Sequence, residues 1–101
     1  MNNIERIEKK ELRGRILAVL DYNYPAGLSA KLVAQSLAAA RYTITKRELN
    51  AQIAYLEEKG YITAEEVGFS DIDLARQLIK LTATGKDLVD GNLKPDPGVS
   101  V

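Results

Sequence analysis

The segment TITKRELNAQIAYLEEKGYI, residues 43–62, marks both ends of one helix and constrains the fold more than any other part of the sequence. Thr45 and Glu48 stand in the T-x-x-E relation of a capping box, which predicts that the helix begins at Lys46. Gly60 follows a basic residue at the other end, as expected of a glycine that closes a helix. The apolar residues between these signals repeat at spacings of four and three and predict one buried stripe: Leu49, Ile53 and Leu56.

Two more helical segments precede this one. The first runs from Ile4 to about Asn23, and its apolar residues recur on one face: Leu12, Ile16, Val19 and Leu20. The YNYPAG sequence ends it, because proline cannot donate to the helix hydrogen-bond ladder and glycine tolerates a turn. Ser29 is the predicted N-cap of the second helix, SAKLVAQSLAAA. The chain therefore begins with three helices that share one core.

The sequence after the third helix predicts a strand pair and a last helix. YITAEEV alternates as a strand does, and LARQLIKL is predicted to return as its antiparallel partner, with a helix as the alternative because its residues also favour helices. TATGKDLVDG is predicted to be helical. The expected fold is mainly α with a small β-hairpin, an α+β class. It comprises an N-terminal helical extension over residues 1–11, one domain over 12–91 and a flexible C-terminal tail over 92–101.

The composition argues against catalysis. A chain of 101 residues suffices for one compact domain, and it contains no cysteine and no histidine, so the usual nucleophiles, general bases and transition-metal ligands are missing. The two carboxylates of the SDID sequence have no third ligand at a useful spacing. We therefore expect neither an enzyme nor a cofactor or metal site. No signal peptide or membrane span is evident, which predicts a cytoplasmic protein.

The formal net charge of zero hides an asymmetry along the chain. Residues 1–50 contain nine Lys and Arg against five Asp and Glu, and residues 51–101 contain five against nine. A polyanion such as a nucleic acid would therefore meet the first half of the chain.

The order of elements, together with two phrases, resembles the winged helix-turn-helix domains of bacterial and phage regulators. The third helix runs into E-E-K-G-Y-I, and a later stretch reads I-K-L-T-A-T-G-K-D-L. Regulators of the MarR and PadR families end their third helix and close their wing with similar phrases. The resemblance covers roughly residues 12–91 and implies a small transcriptional regulator that places its third helix in the major groove of double-stranded DNA.

The third helix offers groups suited to this role on the side opposite its apolar stripe. Arg47 can donate two hydrogen bonds to guanine, and Asn50 can pair with adenine in the same bidentate manner. The remaining candidates for DNA contact are cations and hydroxyls that can hold phosphates: Lys31, Arg41, Thr43, Thr45 and Lys46. The alternative is that these residues are the solvated face of an ordinary amphipathic helix.

The hairpin formed by the two predicted strands corresponds to the wing of these regulators, and its charge differs from that of a DNA-binding wing. Its sequence, EEVGFSDIDLAR, is acidic, and phosphate would repel it. A second hypothesis is therefore a winged-helix interaction module that binds a protein through Phe69, Asp71 and Asp73, without direct DNA binding. For the DNA-binding hypothesis we expect a homodimer, formed through the first helix, its extension with Ile4 and Ile7, or the C-terminal helix.

Overall fold

A computed structural model describes residues 3–66 and 77–101 of the protein, with side chains from Glu5 onward. Its helices and strands are α1 (Asn3–Asp21), β1 (Leu28–Ser29), α2 (Ala30–Ala39), α3 (Lys46–Glu58), β2 (Ile62–Glu66), β3 (Gln77–Leu81) and α4 (Ala83–Val89). Apart from the short β1, this is the predicted order of three helices, two strands and a helix. The α+β class is confirmed, and the predicted extension is part of one continuous helix, α1.

The sheet is antiparallel and has the strand order β1-β3-β2. Pairing of β2 with β3, from Ile62 opposite Leu81 onward, confirms the predicted strand pair. The helical alternative for LARQLIKL is wrong over Gln77–Leu81, because pairing on both sides of β3 overrides local helix propensity. β1 is not predicted from the sequence, since a strand of two residues has no periodicity to detect.

The predicted apolar stripes of α1 and α3 pack into one core with α2 and the sheet, and the predicted residues are all buried except Val19, which is partly buried. The fully buried side chains come from every layer of the fold: Ile16, Leu17, Leu20, Val33, Leu37, Leu49, Leu56, Ile62, Ile79 and Leu88. Each such side chain contributes roughly 1.5–3 kcal/mol relative to an exposed position. The core therefore determines which face of α3 points inward.

Local signals set the helix boundaries as predicted. The Thr45 hydroxyl oxygen accepts a hydrogen bond from the Glu48 backbone N–H over 3.1 Å, and the Ser29 hydroxyl oxygen accepts one from the Leu32 N–H over 3.1 Å. Gly60 has a φ of 83°, which glycine adopts without the steric cost that a Cβ brings. The start and end of α3 are thus fixed within the chain segment itself.

The C-terminal segment, residues 92–101, is not the flexible tail that the sequence predicts. It packs along α1 and α3, where Val99 is buried and the Ser100 backbone N–H donates to the Lys10 carbonyl over 3.1 Å. Arg13 donates from Nη1 to the Gly98 carbonyl over 3.0 Å. Periodicity cannot predict this packing, because isolated side chains and backbone groups anchor the segment rather than a regular element.

Candidate nucleic-acid interface

A tight turn joins α2 to α3 and places Arg41 in an unusual backbone conformation. Arg41 has a φ of 66°, in the left-handed region. Its N–H donates to the Ala38 carbonyl over 2.9 Å, and the Tyr42 N–H donates to the Leu37 carbonyl over 2.8 Å. This is the Schellman arrangement, in which the left-handed position is usually glycine. An arginine in this conformation is less stable than a glycine would be, and strained residues of this kind cluster at functional sites. The Arg41 side chain is therefore a candidate for a functional role.

The faces of α3 separate cleanly. The inner face buries Leu49, Gln52, Ile53 and Leu56. We call the exposed residues on the opposite side the outer face of α3: Arg47, Asn50, Ala51, Ala54 and Glu58. The two alanines leave the helix backbone close to solvent along the middle of this face. A helix with such a face has the width and the relief to enter a major groove.

All seven residues predicted to contact DNA are solvent-exposed: Lys31, Arg41, Thr43, Thr45, Lys46, Arg47 and Asn50. Six of them lie on the connection before α3 and on its first two turns, whereas Lys31 lies in the first turn of α2. Within residues 3–66 and 77–101, the side chains of the four cations have no hydrogen-bond or ion-pair partner: Lys31, Arg41, Lys46 and Arg47. Their charge is therefore available to an external anion.

Acidic side chains lie on one side of this basic region, and their position could not be predicted from the sequence. A cleft of about 500 Å³ lies between the first half of α1 and the connection before α3. Its charged lining residues are two cations, Lys9 and Arg41, and four glutamates, Glu5, Glu8, Glu11 and Glu48, and Thr43 lines it as well. These glutamates oppose the charge of Arg41 on this side, whereas the outer face of α3 carries no acidic side chain before Glu58.

One carboxylate at the acidic end of α3 makes a structural hydrogen bond. The Glu57 carboxylate accepts a hydrogen bond from the Ala64 backbone N–H over 3.1 Å and so covers a donor on the outer edge of β2. Glu65 and Glu66 are exposed at the end of β2. The three residues predicted to contact a protein, Phe69, Asp71 and Asp73, lie outside the described residues.

Arg13 and Arg15 join α1 to α3 and to the turn before it. Both belong to the basic first half of the chain, which the charge distribution alone predicts would meet a polyanion. The Arg13 guanidinium lies 3.6 Å from the centroid of the Tyr55 ring, and its Nε donates to Gln52 Oε1 over 2.7 Å. The Arg15 Nε donates to the Tyr42 hydroxyl over 3.3 Å. Arg13 shares the helical spacing of the buried α1 residues, which is the signal that identifies it as an internal group.

A carboxylate in the C-terminal segment stabilises the end of α3. Asp96 accepts hydrogen bonds from the Tyr61 hydroxyl over 2.6 Å and from the Gly98 N–H over 2.7 Å, and Lys59 Nζ lies 3.0 Å from it. Burial alone would raise the pKa of Asp96, but these hydrogen bonds outweigh burial and lower it. The hydrogen bond to Asp96, followed by burial, raises the pKa of Tyr61 to about 12.

The described part of the chain contains no group of three or more acidic side chains placed to hold a metal ion. No helix in residues 3–66 and 77–101 is both long enough and apolar enough to cross a bilayer. The SDID carboxylates lie in the part of the chain that is not described.

Comparison with known proteins gives one informative match at the level of structure. No family model matches the sequence, and no curated protein is significantly similar to it. Among solved structures, the chain is similar to the X-ray structure of a PadR-like transcription factor from Bacteroides fragilis, with a TM-score of 0.72 and 22% identity over 90% of this chain and 85% of that chain. The fold is therefore a winged helix-turn-helix.

Proposed function

We propose that this protein is a small transcriptional regulator that binds double-stranded DNA sequence-specifically, with α3 in the major groove. The observation that carries the proposal is the outer face of α3, which exposes Arg47 and Asn50 next to Lys46, and neither cation has a side-chain partner within residues 3–66 and 77–101. A winged-helix fold shared with a protein described as a transcription factor supports the same role. Arginine and asparagine are the residues best suited to bidentate contacts with purine edges.

The other five candidate residues would contact phosphates. Lys46 and Arg41 supply charge, while Thr43 and Thr45 supply hydroxyl donors near the N-terminus of α3. The Thr45 oxygen already accepts from the Glu48 N–H, but its hydroxyl hydrogen can still donate. Lys31 offers a further phosphate contact from the start of α2.

One copy of the domain provides few cationic contacts, so we propose that the functional form is a homodimer. A dimer doubles the contacts and spaces two copies of α3 one DNA turn apart. The C-terminal segment already covers part of α1 around Lys10 and Arg13. A partner would therefore use the beginning of α1, where Ile7 is 54% exposed, or the region of α4.

The test is binding to mixed duplex DNA at about 50 mM and about 200 mM salt, because phosphate contacts make affinity depend steeply on salt. We expect wild type to bind at the lower salt and an Arg47→Ala, Asn50→Ala double variant to lose affinity while its circular dichroism is unchanged. Lys94→Ala is the matched control, since Lys94 is exposed in the C-terminal segment and has no partner among the described residues. Absence of binding by wild type at low salt would refute the proposal.

A second candidate is a protein-interaction module that uses the acidic wing. It is favoured by the exposed carboxylates of Glu65 and Glu66 at the end of β2 and by the acidic sequence that follows. On this hypothesis, Phe69→Ala or Asp71→Lys would abolish a stable complex with another protein, whereas the Arg47 and Asn50 substitutions would leave that complex intact.

A further inference from the structure

The side chains on the outer face of α3 change in chemical character along the helix axis. At about 100° per residue, Arg47, Ala51, Ala54 and Glu58 fall on one line opposite the buried stripe, and Asn50 lies beside that line. All five residues are exposed. The line therefore runs from a guanidinium, through two methyl groups, to a carboxylate.

Each part of this line has a distinct complement in the major groove. A guanidinium pairs with the O6 and N7 atoms of guanine, and the methyl group of alanine contacts the C5-methyl group of thymine. The Asn50 amide suits adenine, so one A·T pair can satisfy both an alanine and Asn50. The absence of bulk at Ala51 and Ala54 brings the helix close enough to the base edges for these contacts.

The length of the contact follows from the helix rise. Ala54 is seven positions after Arg47, which is about 10 Å along the helix axis at about 1.5 Å per residue. Residues at this separation on a helix in the major groove can contact about three successive bases. Glu58 lies one turn further along the same line, and its carboxylate is repelled by phosphate, which ends the contact there.

We infer that each copy of α3 recognises a short half-site in which a guanine, contacted by Arg47, is followed by A·T pairs whose thymine methyl groups pack on Ala51 and Ala54. The inference rests on the proposed function, because it specifies the DNA that the same helix would bind.

Selection from a pool of randomised duplexes provides the first test. Wild-type protein should enrich a guanine next to A·T pairs, and the Arg47→Gln variant, which keeps a side chain that favours helices, should lose the preference for guanine only. Lys94→Ala should enrich the same sequence as wild type. An enriched sequence without a guanine, or one unchanged by Arg47→Gln, would overturn the inference.

Base analogues in the enriched duplex provide the second test. Replacing the guanine by 7-deazaguanine removes the N7 acceptor and should weaken wild-type binding by about fivefold or more, with no further effect on Arg47→Gln. Replacing a contacted thymine by deoxyuridine removes one methyl group and should weaken wild-type binding about fourfold.

The outcomes separate the two claims. If wild type enriches no sequence and binds no duplex, both the proposed function and this inference fail. If it binds an enriched duplex but neither analogue changes its affinity, the inference alone fails and DNA binding stands.

Discussion

The Tyr61 hydroxyl donates a 2.6 Å hydrogen bond to Asp96, a residue 35 positions later in the chain. This contact joins the segment after α3 to the C-terminal segment, and the Asp96 side chain is only 6% exposed. A buried carboxylate with several donors is stabilising as long as all of them remain paired. The C-terminal segment is therefore part of the structure that holds α3.

Asp96→Ala should destabilise the protein by about 1–3 kcal/mol, because it leaves the Tyr61 hydroxyl and the Gly98 N–H without an acceptor. Urea unfolding followed by circular dichroism measures the change. Lys94→Ala, in the same segment, should change the free energy of unfolding by less than about 0.5 kcal/mol. Equal effects of the two substitutions would contradict this role for Asp96.

Stability should fall at alkaline pH through Tyr61. Its pKa is raised from 10.0 to about 12 in the folded protein, so its contribution is fully present below 10.0 and is lost as the pH rises toward 12. Lys59, whose pKa is raised from 10.5 by the hydrogen bond to Asp96, acts in the same direction. Urea midpoints at about pH 8 and about pH 11 should differ more for wild type than for Tyr61→Phe. A Tyr61→Phe variant with the same pH dependence would exclude this explanation.

Gly14→Ala should destabilise the protein although alanine favours helices by about 1 kcal/mol over glycine. A Cβ at Gly14 would collide with the Ser100 carbonyl oxygen, which passes against α1. We expect a net loss of about 1–3 kcal/mol, as for other overpacked sites. In a chain that lacks residues 99–101, the same substitution should be neutral or stabilising. Destabilisation in both backgrounds would show that the C-terminal segment is not the cause.

Arg41→Gly should separate stability from binding. Glycine relieves the left-handed backbone at this position, for a net gain of about 0.5–1 kcal/mol after its greater freedom in the unfolded chain is included. Loss of one phosphate contact should weaken DNA binding and reduce the salt dependence by about one unit. Thermal unfolding and a salt titration measure the two effects. If Arg41→Gly lowers stability, the left-handed backbone at this position is not strained by the arginine. If it leaves DNA binding unchanged, Arg41 does not contact a phosphate.

Local signals explain which features the sequence could predict. The start of α3 is set by Thr45 and its end by Gly60, and both signals lie within the segment that they define. Exposure of Lys46, Arg47 and Asn50 follows from the same helix, because a predicted buried stripe also predicts which side chains face solvent.

Contacts that join distant residues could not be predicted in this way. Arg13 and Gly98 are 85 residues apart, and neither shows a pattern that points to the other. The two-residue strand β1 exists only through its pairing with β3. Three of the four glutamates that line the cleft with Arg41 come from α1, and their position depends on how α1 packs against the turn before α3.

The proposed function requires that the outer face of α3 lies against DNA in the complex. Since the chain contains no cysteine, Ala51→Cys and Lys94→Cys each provide a single thiol, and the rate of its alkylation by iodoacetamide reports its access to solvent. With a bound duplex in saturating amount, we expect alkylation at position 51 to slow strongly and alkylation at position 94 to be unchanged. Equal rates at position 51 with and without the bound duplex would contradict the account.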